Sequence, residues 1–135
     1  ISAMPGALAL IQELKQRRIP IALATSGHRR YIDLALESAG LLGSFDVEVT
    51  GDQVSRGKPF PDVYLRAAEL LEVQPEACLA LEDVPNGIRS AKAAGMLCFA
   101  IPGETAVPLD YSDADAVLPS LSDVIGELTI RGLLR

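Results

Sequence analysis

The sequence is poor in aromatic residues, cysteine and histidine. Aromatic residues make up 4% of its 135 residues, tryptophan is absent, and there is a single histidine. Because 49% of the residues are hydrophobic, the core has to be built from aliphatic side chains. This composition argues against an aromatic-rich all-β sandwich and favours alternating strands and helices. The length suits one domain with one substantial core.

Two further absences bear on partners and location. No apolar run approaches the ~20 residues that span a bilayer, and the sequence contains no signal-peptide pattern. The net charge is −6 with no block of like charges, whereas nucleic-acid binding needs a concentrated basic face. We therefore expect neither a membrane nor a nucleic acid as partner. Cys78 and Cys98 lie in apolar runs, which favours two buried thiols in a reducing, cytoplasmic location over a disulfide or metal pair.

Strand-like runs and amphipathic helices alternate along the chain. With connections of a few residues, this order predicts an α/β fold with right-handed crossovers and a mostly parallel sheet. The alternation in "FDVEVT" indicates an edge strand, and Ser120 or Ser122 is a natural N-cap for the last helix. Helices are predicted at 7–17, 29–39, 62–71, 85–94 and 122–134, and strands at 19–25, 45–50, 78–82, 97–101 and 115–119.

Polar residues follow the first three predicted strands. In parallel α/β sheets, ligands bind outside the carboxyl ends of the strands, so these side chains should face one rim. The Thr25 hydroxyl and the Ser26 amide can donate to phosphate oxygens, helped by the start of the helix at Arg29. Lys58 places a compact positive charge where negative charge accumulates during phosphoryl transfer.

The acidic pair Glu82-Asp83 follows the third strand. Adjacent carboxylates repel one another, and a divalent cation such as Mg²⁺ converts this repulsion into attraction. Each feature also has a purely structural interpretation: a helix cap at Thr25, a solvated loop charge at Lys58, and acids placed before the helix that starts at Pro85. Their combination at three successive strand ends favours a phosphate and metal site.

Three segments resemble a known family. "IALATSG", "GKPFPDVYLRAAELL" and "CLALEDVPNGIRSAKAAGM" are similar to the second, third and fourth motifs of the haloacid dehalogenase-like hydrolases. The likeness is greatest to the capped small-molecule phosphatases and phosphosugar mutases. It implies that residues 1–135 form the carboxyl-terminal portion of a Rossmann-like, three-layer core. It also implies a Mg²⁺-dependent phosphohydrolase of small phosphorylated metabolites that works through an aspartyl-phosphate.

The resemblance also implies roles for individual residues. Asn86 and Gly87 would shape the turn beside the metal, and His28 and Asn86 are candidate substrate contacts, although His28 also suits a plain helix start. The implied catalytic residues are Thr25 and Lys58, the phosphate-binding residues are Thr25, Ser26 and Lys58, and the Mg²⁺ site consists of Asp83 supported by Glu82.

The first motif of the family, a strand ending in Asp-x-Asp-Gly-Thr, does not occur here, and neither does the helical cap. Asp113-Ala114-Asp115 precedes a strand and lacks Gly-Thr, so we interpret it as a solvated turn. Since the sequence opens on Ile1, we expect the natural protein to continue upstream with the nucleophile-bearing strand and the cap. We also expect the 135 residues alone to be inactive, with a gap in the sheet that exposes two strand edges.

Other functions remain open. A phosphosugar mutase of the same family would differ only in returning the phosphoryl group to a sugar. A non-catalytic phosphate- or metal-binding module would lack the nucleophile by nature. Dehalogenation fits the acidic pair and Lys58 less well than phosphate chemistry does. A receiver-type signalling domain would need an acidic pair after its first strand, where "IALATSG" supplies none.

Overall fold

The computed structural model describes residues 4–103 and 108–134. Helices and strands alternate through these residues, as the sequence predicts. The helices are α1 (Ala7–Gln16), α2 (Arg29–Ala39), α3 (Asp62–Leu71), α4 (Pro85–Ala93) and α5 (Val124–Ile130), and the strands are β1 (Ala22–Ala24), β2 (Val47–Val49), β3 (Leu79–Glu82), β4 (Leu97–Ala100) and β5 (Ala116–Val117).

The helix ends follow local signals in the sequence. Gly40 ends α2 in the left-handed conformation (φ 73°), where glycine carries no steric penalty. Before α5, the Ser120 hydroxyl accepts a hydrogen bond from the Ser122 N–H at 3.1 Å and caps a short 3₁₀ turn, which decides between the two predicted caps. The prediction that this helix runs to residue 134 is wrong. It ends at Ile130, and Gly132 then turns left-handed (φ 75°).

The strands form two parallel sheets rather than one. β1 pairs with β2, which is an edge strand as predicted, and β3, β4 and β5 pair in that order. Within the described ranges, β1 and β3 are not hydrogen-bonded to each other. The halves are joined through their helices, since α3 packs on β1 and β2, α4 packs on β3 and β4, and α3 contacts α4. The parallel sheet is thus interrupted between β1 and β3, in agreement with the gap that the family resemblance implies.

Helices cover both faces of the larger sheet. Successive residues of a strand point to opposite faces, and β4 shows this directly. Cys98 and Ala100 belong to a core cluster that includes residues of α3 and α4, whereas Phe99 belongs to a second cluster with Leu10 of α1 and Leu128 of α5. The arrangement is the predicted three-layer α/β architecture.

Two interpretations of single residues need correction. Cys98 is fully buried, but Cys78 is half-buried because it lies in the turn before β3; both are free thiols. Asp115 is more than a solvated turn residue. Its carboxylate accepts hydrogen bonds from Lys92 Nζ and the Cys98 N–H, both at 2.8 Å, and so ties α4 and β4 to the start of β5.

A bilayer-spanning helix is not found between residues 4 and 103 or between 108 and 134, where every helix is too short or too polar.

Candidate active site

Lys58 links the carboxyl ends of β1 and β3. Its side chain enters from the loop between β2 and α3 and is mostly buried. Nζ donates a hydrogen bond to the carbonyl oxygen of Ala24, the last residue of β1, at 3.0 Å. The same Nζ forms an ion pair with Glu82, the last residue of β3. The lysine therefore spans the space between the two sheets at their carboxyl ends.

Ser26 anchors the loop that carries Lys58. The Ser26 hydroxyl accepts a hydrogen bond from the Lys58 backbone N–H at 2.9 Å. Two glycines allow the chain to pack this closely: a Cβ at Gly57 would lie 3.0 Å from Ser26 Oγ, and one at Gly51 would lie 2.0 Å from the Ser26 carbonyl oxygen. The loops after β1 and β2 are thus held against each other at the site.

Two hydrogen-bond donors at the end of β1 have no acceptor among the residues that the structure describes. The Thr25 Oγ1 atom accepts a hydrogen bond from the Gly27 N–H at 3.1 Å, so its own hydroxyl proton can donate elsewhere. No acceptor within the described chain is found for the Ser26 backbone N–H. This pair of donors suits the oxygens of a phosphoryl group.

The start of α2 is less available than the sequence suggests. The Arg29 N–H donates to Asp52 Oδ1 at 3.0 Å, so an amide at the positive end of this helix already has an acceptor. Two hydrogen bonds hold the pKa of the Asp52 carboxyl below its usual value. The larger effect comes from the Thr50 side chain and the smaller from the Arg29 N–H. The negative charge of Asp52 thus caps the positive end of the helix.

Glu82 faces the protein interior and not solvent. It is 7% exposed, and its Oε1 atom accepts hydrogen bonds from Lys58 Nζ and from the Tyr64 hydroxyl. A buried carboxylate requires such partners, because desolvation without them is costly. Burial, followed by the charge of Glu82, raises the pKa of Tyr64, so the hydroxyl stays protonated and continues to donate.

Asp83 differs from its neighbour. Its side chain is exposed and has no hydrogen bond or ion pair to any residue that the structure describes. The backbone oxygen of Asp83 accepts a hydrogen bond from the Tyr111 hydroxyl at 3.3 Å. The described ranges contain no group of three or more His, Cys, Asp or Glu side chains able to hold a metal. Mg²⁺ keeps several waters and needs only one or two carboxylates, so Asp83, with Glu82 behind it, fits part of such a site.

The two predicted substrate contacts lie apart from the Lys58 contacts. His28 is exposed at the N-terminus of α2, two residues from Ser26, and its side chain does not cap the helix. Asn86 is exposed in the first turn of α4, where its Oδ1 atom accepts a hydrogen bond from Arg89 Nη1 at 3.0 Å. Their proposed contact with substrate stays a prediction.

Tyr64 is a site residue that the sequence did not predict, and Gly87 has a further role besides the predicted one. A Cβ at Gly87 would lie 2.0 Å from Glu82 Oε2, so the glycine makes room for the carboxylate as well as shaping the turn. Tyr64 lies among the apolar residues of α3 and looks from the sequence like an ordinary core position. The available signal was its hydroxyl, since a buried tyrosine generally needs a hydrogen-bond partner.

The fold and these contacts define a three-layer α/β domain in which Ser26, Lys58 and Glu82 meet at the carboxyl ends of the strands. A family model described as haloacid dehalogenase-like hydrolase matches residues 1–95. The chain belongs to this family, and the three motif resemblances are confirmed.

Similar proteins include phosphatases and a phosphomutase-like protein. Validoxylamine A 7'-phosphate phosphatase from Streptomyces hygroscopicus subsp. limoneus is 40% identical over 119 residues, which cover 88% of this chain and 55% of that protein. CbbY from Rhodobacter sphaeroides, solved in complex with phosphate, superposes with a TM-score of 0.85 at 35% identity and covers 91% and 56% of the two chains. A putative beta-phosphoglucomutase from Thermotoga maritima gives 0.83 at 31% identity, covering 96% and 61%. The chain thus spans little more than half the length of each.

Proposed function

We propose that this chain is the core portion of a Mg²⁺-dependent phosphohydrolase that acts on small phosphorylated metabolites in the cytoplasm. One observation carries the proposal: Lys58 contacts Ser26, which follows β1, through its backbone N–H, and contacts Glu82, the last residue of β3, through Nζ. Thr25 and Asp83 are the direct neighbours of these two residues in the sequence. The free thiols Cys78 and Cys98 suit a reducing compartment. The phosphatase and phosphate-bound relatives support the reaction class.

We place the nucleophile in the space between β1 and β3. A strand from an upstream segment would complete the sheet there and bring an aspartate next to Lys58 Nζ, which already reaches both neighbouring strand ends. The aspartate oxygen attacks phosphorus, and the bond from phosphorus to the ester oxygen breaks. A second carboxyl group protonates the departing alcohol, and water then hydrolyses the aspartyl-phosphate to release inorganic phosphate.

The residues of this chain have distinct tasks in that reaction. Thr25 Oγ1–H and Ser26 N–H bind phosphoryl oxygens and orient the group for in-line attack. Lys58 Nζ offsets the charge that develops on the transferring group. Asp83 would hold Mg²⁺, with Glu82 in support of it or of its waters, and the metal would supply further charge neutralisation.

The test uses the chain together with the upstream segment that this proposal requires, referred to below as the full-length protein. Phosphate release from a panel of phosphorylated sugars and alcohols is measured with Mg²⁺ and after its removal with EDTA. We expect turnover that depends on Mg²⁺ and that is lost when the first aspartate of the upstream strand is changed to asparagine. Turnover that survives this substitution, or phosphate binding with no turnover on any substrate, would overturn the proposal. The second outcome would favour a non-catalytic phosphate-binding module.

A phosphosugar mutase is the second candidate, because a putative beta-phosphoglucomutase shares this fold at 31% identity. The two activities differ in the acceptor of the phosphoryl group, which is a sugar hydroxyl in one and water in the other. ³¹P NMR of a sugar phosphate incubated with the full-length protein separates them, since a mutase yields an isomeric phosphate ester and a phosphatase yields inorganic phosphate.

A further inference from the structure

Tyr64 contacts both members of the Lys58–Glu82 ion pair. Its hydroxyl donates a hydrogen bond to Glu82 Oε1, the same atom that Lys58 Nζ contacts. Its ring also lies under the lysine, with Nζ 5.1 Å from the ring centroid, which is within cation–π range. The three side chains form one connected unit at the carboxyl end of β3.

We propose that Tyr64 is a positioning residue that fixes the Glu82 carboxylate and, through it, holds the Lys58 ammonium at the carboxyl ends of β1 and β3. The inference rests on the proposed function, because the task of the fixed lysine is to meet a phosphoryl group there.

The parts of this unit differ in rigidity. Lys58 sits on a loop and carries its charge on a flexible four-carbon stem with many rotamers. Tyr64 lies in α3, is 7% exposed and belongs to the core cluster with Val63, Ala67 and Ile88. The helix therefore fixes the tyrosine, the tyrosine fixes the carboxylate, and the carboxylate fixes the lysine.

The other carboxylate oxygen of Glu82, Oε2, has little room to move and so cannot make up for a lost hydrogen bond at Oε1. Glu82 Oε2 lies against Gly87, where even a Cβ would come within 2.0 Å. Loss of the Tyr64 hydroxyl would leave Lys58, the mobile member, as the hydrogen-bond partner of Oε1. The Lys58 ammonium would then be held less firmly, and Nζ would leave the Ala24 carbonyl oxygen.

The test is Tyr64→Phe in the full-length protein, which keeps the ring and removes only the hydroxyl. We expect kcat for p-nitrophenyl phosphate to fall by about tenfold or more, the effect of one hydrogen bond to a charged group, with KM changed by less than about twofold. A merely structural role would lower the unfolding midpoint and leave kcat of the folded enzyme unchanged. Tyr31→Phe is the matched control, because Tyr31 is 69% exposed on α2.

Substitution at Glu82 tests whether the effect passes through the carboxylate. In a Glu82→Gln background, Tyr64→Phe should leave kcat within about twofold, because the carboxylate that links tyrosine to lysine is already gone. A full tenfold loss in this background would overturn the proposal. The double variant lacks the buried charge of Glu82, so it does not carry an unpaired buried carboxylate. Its kcat can therefore be compared with that of Glu82→Gln even if Tyr64→Phe alone does not fold.

An activity-independent measurement separates this inference from the proposed function. The rate at which an amine-directed acetylating reagent labels Lys58 is followed by peptide mass spectrometry, with Lys92 as internal reference. We expect Tyr64→Phe to raise the Lys58 rate about threefold or more, since the released ammonium becomes mobile. A rate within about twofold of wild type would overturn the proposal. If the wild-type enzyme hydrolyses no substrate, the proposed function fails and the labelling rate decides the role of Tyr64 alone.

Discussion

The carboxylate of Glu82 lies against Gly87 so closely that a Cβ atom at position 87 would stand 2.0 Å from Oε2. The first turn of α4 can therefore approach the end of β3 only because residue 87 has no side chain. A carboxylate at the end of a flexible side chain could normally move aside. Here Lys58 and Tyr64 hold its other oxygen, so the added atom would have to displace a connected unit.

Gly87→Ala should destabilise the protein, although alanine is the better helix former. Overpacking at a site that cannot relax costs about 1–3 kcal/mol, which exceeds the gain in helix propensity. The control is Gly126→Ala in α5, where a Cβ would meet no atom within 4 Å. We expect that variant to gain about 0.5–1 kcal/mol. Urea unfolding of both proteins checks the prediction, and equal shifts would show that Glu82 moves freely.

Ser26→Ala should lower activity by loosening the loop that carries Lys58. The substitution leaves the Lys58 backbone N–H without its acceptor at 2.9 Å, and a lost hydrogen bond of this kind costs about 1 kcal/mol. Ser55→Ala is the matched control, because Ser55 is exposed in the same loop. We expect kcat of the full-length protein to fall by about fivefold for Ser26→Ala and to stay unchanged for the control. Similar activity in both variants would refute the anchoring role.

Lys58→Met should lower both stability and activity, and the two effects should be separable. Glu82 has a side chain only 5% exposed, and removing one partner of a buried ion pair costs about 3 kcal/mol. Activity of the full-length protein should fall by at least about 100-fold with the loss of the charge at the phosphoryl group. Adding Glu82→Gln should restore most of the stability but none of the activity.

Lys92→Met is the control for the losses of stability and activity expected for Lys58→Met. Lys92 also forms an ion pair, with Asp115 at 2.8 Å, but its side chain is 37% exposed and it contacts residues at the amino ends of β4 and β5, not the carboxyl ends where Lys58 lies. Exposed pairs contribute about 0–1 kcal/mol, so stability should change little. Activity should not change. Loss of activity in this variant would mean that lysine removal perturbs the fold as a whole.

Much of the fold could be predicted because its signals are local. The bounds of α2 and α3 agree with the prediction at both ends. The ends of a helix are specified by a few neighbouring residues, such as Gly40 at the end of α2. The division of the sheet was expected only through the family resemblance. Pairing between β1 and β3 depends on residues far apart in sequence, and periodicity within one strand says nothing about its neighbours.

The sequence predicted which residues lie at the candidate site, but it did not predict where their side chains point. Strand ends in parallel sheets meet at one rim, which brought Ser26, Lys58 and Glu82 together. The sequence could not show that Glu82 points inward to Tyr64 while Asp83 points to solvent. Side chains of adjacent residues alternate in a strand, but which of the two is buried depends on the helix packed against it.

Acid should destabilise the protein in part through Asp115. Burial raises the pKa of this carboxyl, but the hydrogen bonds from Lys92 and the Cys98 N–H outweigh it, and the net pKa lies below the usual value. A depressed folded pKa means that the stabilisation is fully present above the unfolded pKa of about 3.9 and is lost as pH falls through the lower folded value. Asp115→Asn should therefore be less stable than wild type at neutral pH, and the difference should shrink as pH falls below about 3.9. Asp113→Asn is the control, because Asp113 is exposed two residues away. Urea unfolding across this pH range measures the difference, and a constant gap between Asp115→Asn and wild type would contradict the assignment.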